Sequence, residues 1–298
     1  MSVQVLASRS ADLGGGLTVL RALPQARRRM VGPFVFLDQM GPADFAAGQG
    51  MEVRAHPHIG LSTVTWLFEG EGVHRDSLGT VQRLLPGELN WMTAGRGVAH
   101  SERSPEERVR TGGRMFGIQI WVALPKAHEE DAPSFDHYEA SALPSREDGG
   151  VRLQVVAGAF EEMRSPVRTH SDLFYAVADA ESGSVVRVAP TFDERGVYLV
   201  EGSVSFGSSG VLRPGELAVL PRGEEFLFRA SEDARLLLFG GEPLEGPRHI
   251  FWNFVSSSKE RIEQAKEDWR AQRFGKVPDE TDFIPLPGDP DPPVVDYP

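Results

Sequence analysis

Cysteine is absent from all 298 residues. That excludes disulfide frameworks and thiolate metal sites, so a metal held by side chains must use histidine and carboxylate. Such donors suit divalent iron, manganese, nickel, copper or zinc. No run of 18 apolar residues occurs, so no membrane-spanning helix is expected. The opening MSVQVLASRSADLGGG lacks the basic and apolar regions of a secretory signal. A cytoplasmic location is the expectation, with a monomer as the default. Basic residues are the minority: 31 Lys and Arg stand against 43 Asp and Glu, a formal net charge of −12. So acidic a chain repels a phosphate backbone, which disfavours direct contact with nucleic acid and leaves protein partners open. The one basic cluster, Arg27-Arg28-Arg29, reads as a solvated surface run. Gly14, Gly15 and Gly16 have no Lys-Ser/Thr pair after them and read as a flexible turn, not a phosphate loop.

Turn residues, by contrast, are plentiful. The chain carries 32 Gly and 22 Pro spread along its length, which favours a β-rich fold over a helical bundle. Two segments repeat one design: LFEGEGVHRDSLGTVQRLLPGELNW from Leu67 and LVEGSVSFGSSGVLRPGELAVL from Leu199. Each runs from an apolar strand ending in Glu-Gly, through a Gly-rich hairpin, to PGEL and another apolar strand. A period of about 130 residues is a duplicated domain, and its short punctuated strands fit a sandwich or barrel. The reading is all-β: two stacked β-barrels, residues 1–140 and 141–255, divided within the polar stretch Ala132 to Gly150. Residues 256–298 add a helix and a Pro-rich tail. In SSSKERIEQAKEDWRAQRFG, Ser257 and Glu260 have capping-box spacing, Gly275 is a stop signal, and Ile262, Ala265 and Trp269 share one face. The tail is expected to run extended over the surface, partly disordered, or to serve as a polyproline ligand for a partner.

The stretch AHPHIG, residues 55–60, places His56 and His58 one residue apart, and TAGRGVAHSER places His100 and Glu102 at the same spacing. In an extended strand such pairs share one face. If both face inward, three imidazoles and one carboxylate meet, a complete protein shell for a divalent metal. The alternative is a local surface pair at His100 and Glu102. The repeat is an internal control. Shifting by the Glu-Gly offset puts Val188 and Pro190 at the first pair, and shifting by the PGEL offset puts Phe228 and Ala230 at the second. The duplicated scaffold therefore does not require the polar set. If the strand Leu61 to Phe68 starts at His56, parity puts Ser62, Val64 and Trp66 on the histidine face, shaping an apolar cavity for a flat aromatic ligand. Trp91 and Met92 read as core or pocket lining. His74 reads as a hairpin residue bonded to Asp76. His128, His137, His170 and His249 read as ordinary.

Four motifs, RRMVGPFVFLDQMGP, HPHIGLSTVTWLFEGEGVHRDSLG, PGELNWMTAGRGVAHSE and FVSSSKERIEQAKEDW, resemble the pirin family of the cupin superfamily. The resemblance spans most of the chain. It implies a bicupin of jelly-roll barrels with one metal, usually Fe(II), in the N-terminal barrel, ligated at His56, His58, His100 and Glu102. It implies one of two functions. Some bacterial relatives are quercetinases, opening a flavonol ring with dioxygen and releasing carbon monoxide; by analogy Glu102 is the general base for the substrate hydroxyl. Animal members are instead redox-sensitive regulators that act through partners. Many relatives have an acid where this chain has Ser62, which leaves the ligand set intact and bears on the pocket.

Overall fold

The computed structural model describes residues 2–12, 18–208 and 210–290. Gly14, Gly15 and Gly16 lie outside them. Strands dominate, with two α-helices among the described residues, Glu106–Thr111 and Lys259–Arg270. Among the described residues no helix is long and apolar enough to cross a membrane. The described residues form two compact units. One combines residues 2–11, Val19–Gln39 and Tyr138–Leu244; the other combines Asp12, Thr18, Met40–His137 and residues 245–290. Each is built on a cupin barrel of antiparallel strands.

In the histidine-bearing unit, one sheet runs Glu52–His58, Val98–Arg103, Gly72–Asp76, Val81–Leu84 in spatial order. Leu61–Glu69 pairs on its two sides with Leu89–Thr93 and Gly113–Ala123 in a second sheet. The other unit repeats the first arrangement as Val185–Val188, Phe226–Ala230, Val204–Phe206, Gly210–Leu212. Its N-terminal strand Gln4–Ala7 pairs with Glu216–Leu220. Its apolar core includes Val186, Val188, Phe228 and Ala230. The ladders refine the internal control. His56 lies opposite His100, and Val186 lies opposite Phe228. The counterparts of His56 and His58 are thus Val186 and Val188, not Val188 and Pro190; Pro190 is exposed beyond the strand.

The terminal helix begins one residue later than its sequence signal suggests. Ser258, not Ser257, is the cap, its Oγ accepting from Arg261 N at 3.2 Å. Ser257 is otherwise engaged: its backbone N donates to Glu129 Oε1 at 2.9 Å and its Oγ to Oε2 at 2.8 Å. The helix stops at Arg270, short of Gly275. Ile262, Ala265 and Trp269 are its buried face, and they pack with Ala55, Ile59, Ala99 and Phe254. This is the back of the sheet whose front carries the histidines.

The tail, through residue 290, is an ordered part of this unit. Ile284 N donates to Ala55 O at 2.8 Å and Phe283 bridges Ala55 in parallel. Trp269 Nε1 donates to Ile284 O at 2.9 Å. Arg103 grips Glu280 at 2.8 and 2.6 Å and also contacts Glu52 and Asp282. The tail therefore covers the free edge of the Glu52–His58 strand, where unpaired backbone groups would otherwise recruit foreign strands. Val277 and Leu286 anchor it in the apolar cluster. Leu286→Ala should lower the unfolding free energy of this unit by about 2–5 kcal/mol, through lost transfer energy and a residual cavity. Denaturant titration measures it; a loss near zero would mean the tail peels away without consequence.

Candidate metal centre

His56 and His58 end the strand Glu52–His58. A turn at Ile59-Gly60 then starts a separate strand, Leu61–Glu69, in the other sheet. Gly60 has φ 67, and a Cβ there would lie 1.9 Å from Val255 O, so only glycine fits. The two strands are not one, and the parity expected across them fails. Thr65, not Ser62, Val64 or Trp66, faces the histidine side: its Oγ1 donates to Glu102 Oε1 at 2.9 Å. Ser62 lies on the opposite face of its strand, with its Oγ 3.0 Å from Thr93 Oγ1. Ser62 therefore does not touch the histidine group.

The ladder opposes Val98 to His58 and His100 to His56, with a register shift before Glu102, which faces Val53. The bulge follows from two residues on one strand matching three on the other. His56, His58 and His100 come together. Their donor atoms lie within 4.8 Å of one another, and His58 Nε2 is 3.0 Å from His100 Nε2. The ring centroids are 4.3 to 5.0 Å apart. All three side chains are buried. Glu102 joins a second, overlapping group with His74 and His100 rather than the three-histidine group itself. Its carboxylate is held from two sides, by Thr65 and by Gln119 Nε2 at 2.9 Å to Oε2. Trp121 stands edge-on to His58, with ring centroids 5.1 Å apart.

Burial holds His56 below the ordinary imidazole range, against the Arg54 carbonyl and Glu102, which favour its charge. Burial, with His56 beside them, pushes His58 and His100 well below it. Three uncharged imidazoles are the form a metal requires. His56 Nδ1 lies 2.8 Å from Arg54 O. A carbonyl only accepts, so Nδ1 carries the proton and Nε2 presents a bare lone pair. His58 Nδ1 makes no hydrogen bond of good geometry. His58 Nε2 and His100 Nε2, 3.0 Å apart, must hold either a proton or a cation between them. The donor set therefore fits a divalent metal, the histidines first and Glu102 beside them.

Sequence reasoning missed Thr65, Gln119 and Trp121, and gave His74 too small a part. His74 Nε2 is 3.1 Å from Asp76 Oδ2, as expected, but its Nδ1 also lies 3.3 Å from His100 Nδ1. Trp66, Trp91 and Met92 are buried. His137 Nδ1 donates to Asn90 Oδ1 at 2.8 Å, and His128 lies 2.7 Å from Asp131. Within the Arg27-Arg28-Arg29 run, Arg28 pairs with Glu194 at 2.9 Å, while Arg27 and Arg29 are exposed.

Two family models match the chain, Pirin over residues 16–122 and Pirin C-terminal cupin domain over residues 175–275. A pirin-like protein of Caulobacter vibrioides is 49% identical over 288 residues, covering 95% of this chain and 98% of its own. The crystal structure of a quercetin 2,3-dioxygenase from Acinetobacter baumannii is 36% identical, with a TM-score of 0.89, and the match covers 98% of this chain and 97% of that one. A second crystal structure of a quercetin 2,3-dioxygenase from Acinetobacter baumannii is 29% identical, with a TM-score of 0.86, and the match covers 92% of this chain and 97% of that one.

Proposed function

Because the chain belongs to the pirin family, we propose that it is a metal-dependent dioxygenase, with Fe(II) at His56, His58, His100 and Glu102 and a flavonol such as quercetin as substrate. The observation that carries this reading is the meeting of three buried, uncharged imidazoles within one barrel. The relative of 36% identity solved as a quercetin 2,3-dioxygenase supports the substrate class. A bound divalent metal supplies a Lewis-acid centre that stabilises negative charge on a substrate oxygen.

The chain's own residues supply the rest. His56 and His100 each offer a bare Nε2 within a group whose donor atoms lie within 4.8 Å of one another, and all three rings are buried. Glu102 is the proton acceptor for the substrate hydroxyl. Thr65 and Gln119 set the direction of its two oxygens, which makes its geometry independent of the metal. Each oxygen keeps a second lone pair beside its donor, so Glu102 can take a proton from the substrate while Thr65 and Gln119 hold it in place. Trp121 limits the space beside His58. With a net charge of −12, any macromolecular partner is a protein rather than a nucleic acid.

The test loads the protein with Fe(II) without oxygen, adds quercetin and then air, and follows flavonol absorbance and carbon monoxide. Turnover, lost in His56→Ala, is the expected result. Protein that holds one equivalent of metal yet turns over no flavonol with iron, manganese, nickel, copper or zinc would overturn the enzymatic reading. It would favour a metal-dependent regulator that acts through a protein partner.

A further inference from the structure

Two buried titratable groups, His74 and Asp76, have no part in the function proposed above. They sit in the strand Gly72–Asp76, next to Val98–Arg103. The ladder sets His74 opposite Glu102 and Asp76 opposite His100, so all four share one face. We propose that His74 and Asp76 are positioning residues: they fix the tautomer of His100 and so keep its Nε2 lone pair available to a metal. This rests on the reading of His100 as a ligand.

The argument follows the protons from the turn inward. Asp76 Oδ1 accepts from the backbone N–H groups of Leu78 and Thr80, at 2.9 and 3.0 Å. That anchors the carboxylate in its hairpin. Oδ2 remains for His74 Nε2 at 3.1 Å. A carboxylate only accepts, so His74 carries its proton on Nε2, and in the neutral ring Nδ1 is bare. Nδ1 faces His100 Nδ1 at 3.3 Å. One of these two nitrogens must donate, and only His100 is left to do so. Its proton therefore sits on Nδ1, and its bare Nε2 accepts from His58 Nε2 at 3.0 Å in the metal-free protein. Each proton in the chain is placed by the one before it, starting from Asp76. Phe135 stacks on the His74 ring, with centroids 4.5 Å apart and an interplanar angle of 26°, and holds its plane. Outer partners of this kind, a carboxylate behind a ligating histidine, are each worth about 10–100-fold in metal affinity.

Asp76→Asn gives the sharpest test. The asparagine carbonyl can keep the two turn bonds, leaving its NH₂ toward His74. That reverses every donor in the chain and moves the His100 proton onto Nε2, where a metal must bind. His74→Phe keeps the stack on Phe135 and removes the acceptor. Nitrogen-15 NMR of the metal-free proteins reads the tautomers, and competition with a chelator reads Zn(II) affinity; thermal unfolding confirms that each variant is folded. The expected wild type has His100 protonated on Nδ1. In Asp76→Asn the proton moves to Nε2 and Zn(II) affinity falls about 10–100-fold, while His74→Phe loses the single tautomer. Wild-type His100 protonated on Nε2, or a folded Asp76→Asn protein with unchanged tautomer and unchanged Zn(II) affinity, would overturn the relay alone. Wild-type protein that binds no zinc would instead overturn the metal reading on which the relay depends, and the tautomer measurement, which needs no metal, separates the two.

Discussion

His100→Ala protein should emerge from purification and reloading without metal under conditions where the wild type holds one equivalent. His100 is the residue common to both ligand groups, with Nε2 turned to His58 and Nδ1 to His74. Its loss removes one donor outright and leaves the other two imidazoles without the third side of their triangle. Affinity should fall by more than the about 100-fold that losing an outer partner costs at most. Equilibrium competition against a chelator of known affinity is the measurement, with unfolding midpoints compared in the metal-free state. His56→Ala should behave alike. Retention of a full equivalent by His100→Ala would place the metal elsewhere in the chain.

The second large effect is on stability. Burial lowers the pKa of His56, His58 and His100 in the folded protein, and the two latter fall far. The unfolded chain has ordinary histidines that titrate near about pH 6.5. Above that value neither state binds these protons, so stability is level. Below it the unfolded chain takes up protons that the folded chain refuses, and stability falls with pH. Each histidine that stays neutral in the folded protein contributes up to about 1.4 kcal/mol per pH unit, and His58 and His100, which fall furthest, dominate the loss. Denaturant titrations of metal-free protein between pH 8 and pH 5 should show a plateau followed by a steep loss. A flat profile down to pH 5.5 would mean that the three rings accept protons in place. Bound metal, which favours the native state by mass action, should carry the plateau to lower pH.

The repeat announced the two barrels because one design of strand, Glu-Gly, hairpin and PGEL returns with only its hairpin shortened, and turns are chemically loud. The histidine pairs were legible because spacing by two is unambiguous once a segment is extended. What parity could not supply was the break at Ile59-Gly60. A single φ > 0 glycine ends one strand and starts another in a different sheet, and this exchanges Thr65 for Ser62 at the site. The bulge between His100 and Glu102 is similarly silent, since it depends on pairing with a strand over 40 residues away. His74 shows a different limit. Its bond to Asp76 is local and readable, whereas its contact with His100 is set by the register between two strands. The helix cap moved for a tertiary reason: Glu129 claims Ser257, and the next serine takes over. Which unit the two ends of the chain join leaves no mark in composition at all.

That last feature bears on how the molecule is made. The strand carrying His56 is synthesised early, but the backbone that lies along its edge at Ala55, and the helix against its back, belong to residues 245–290. Ribosomes must therefore complete the whole of Tyr138–Leu244 before the earlier half-barrel receives its cover. Until then the nascent histidine strand presents an open margin to whatever surrounds it, and a chain cut short in its final sixth would lack both the helix at its back and the backbone along its edge.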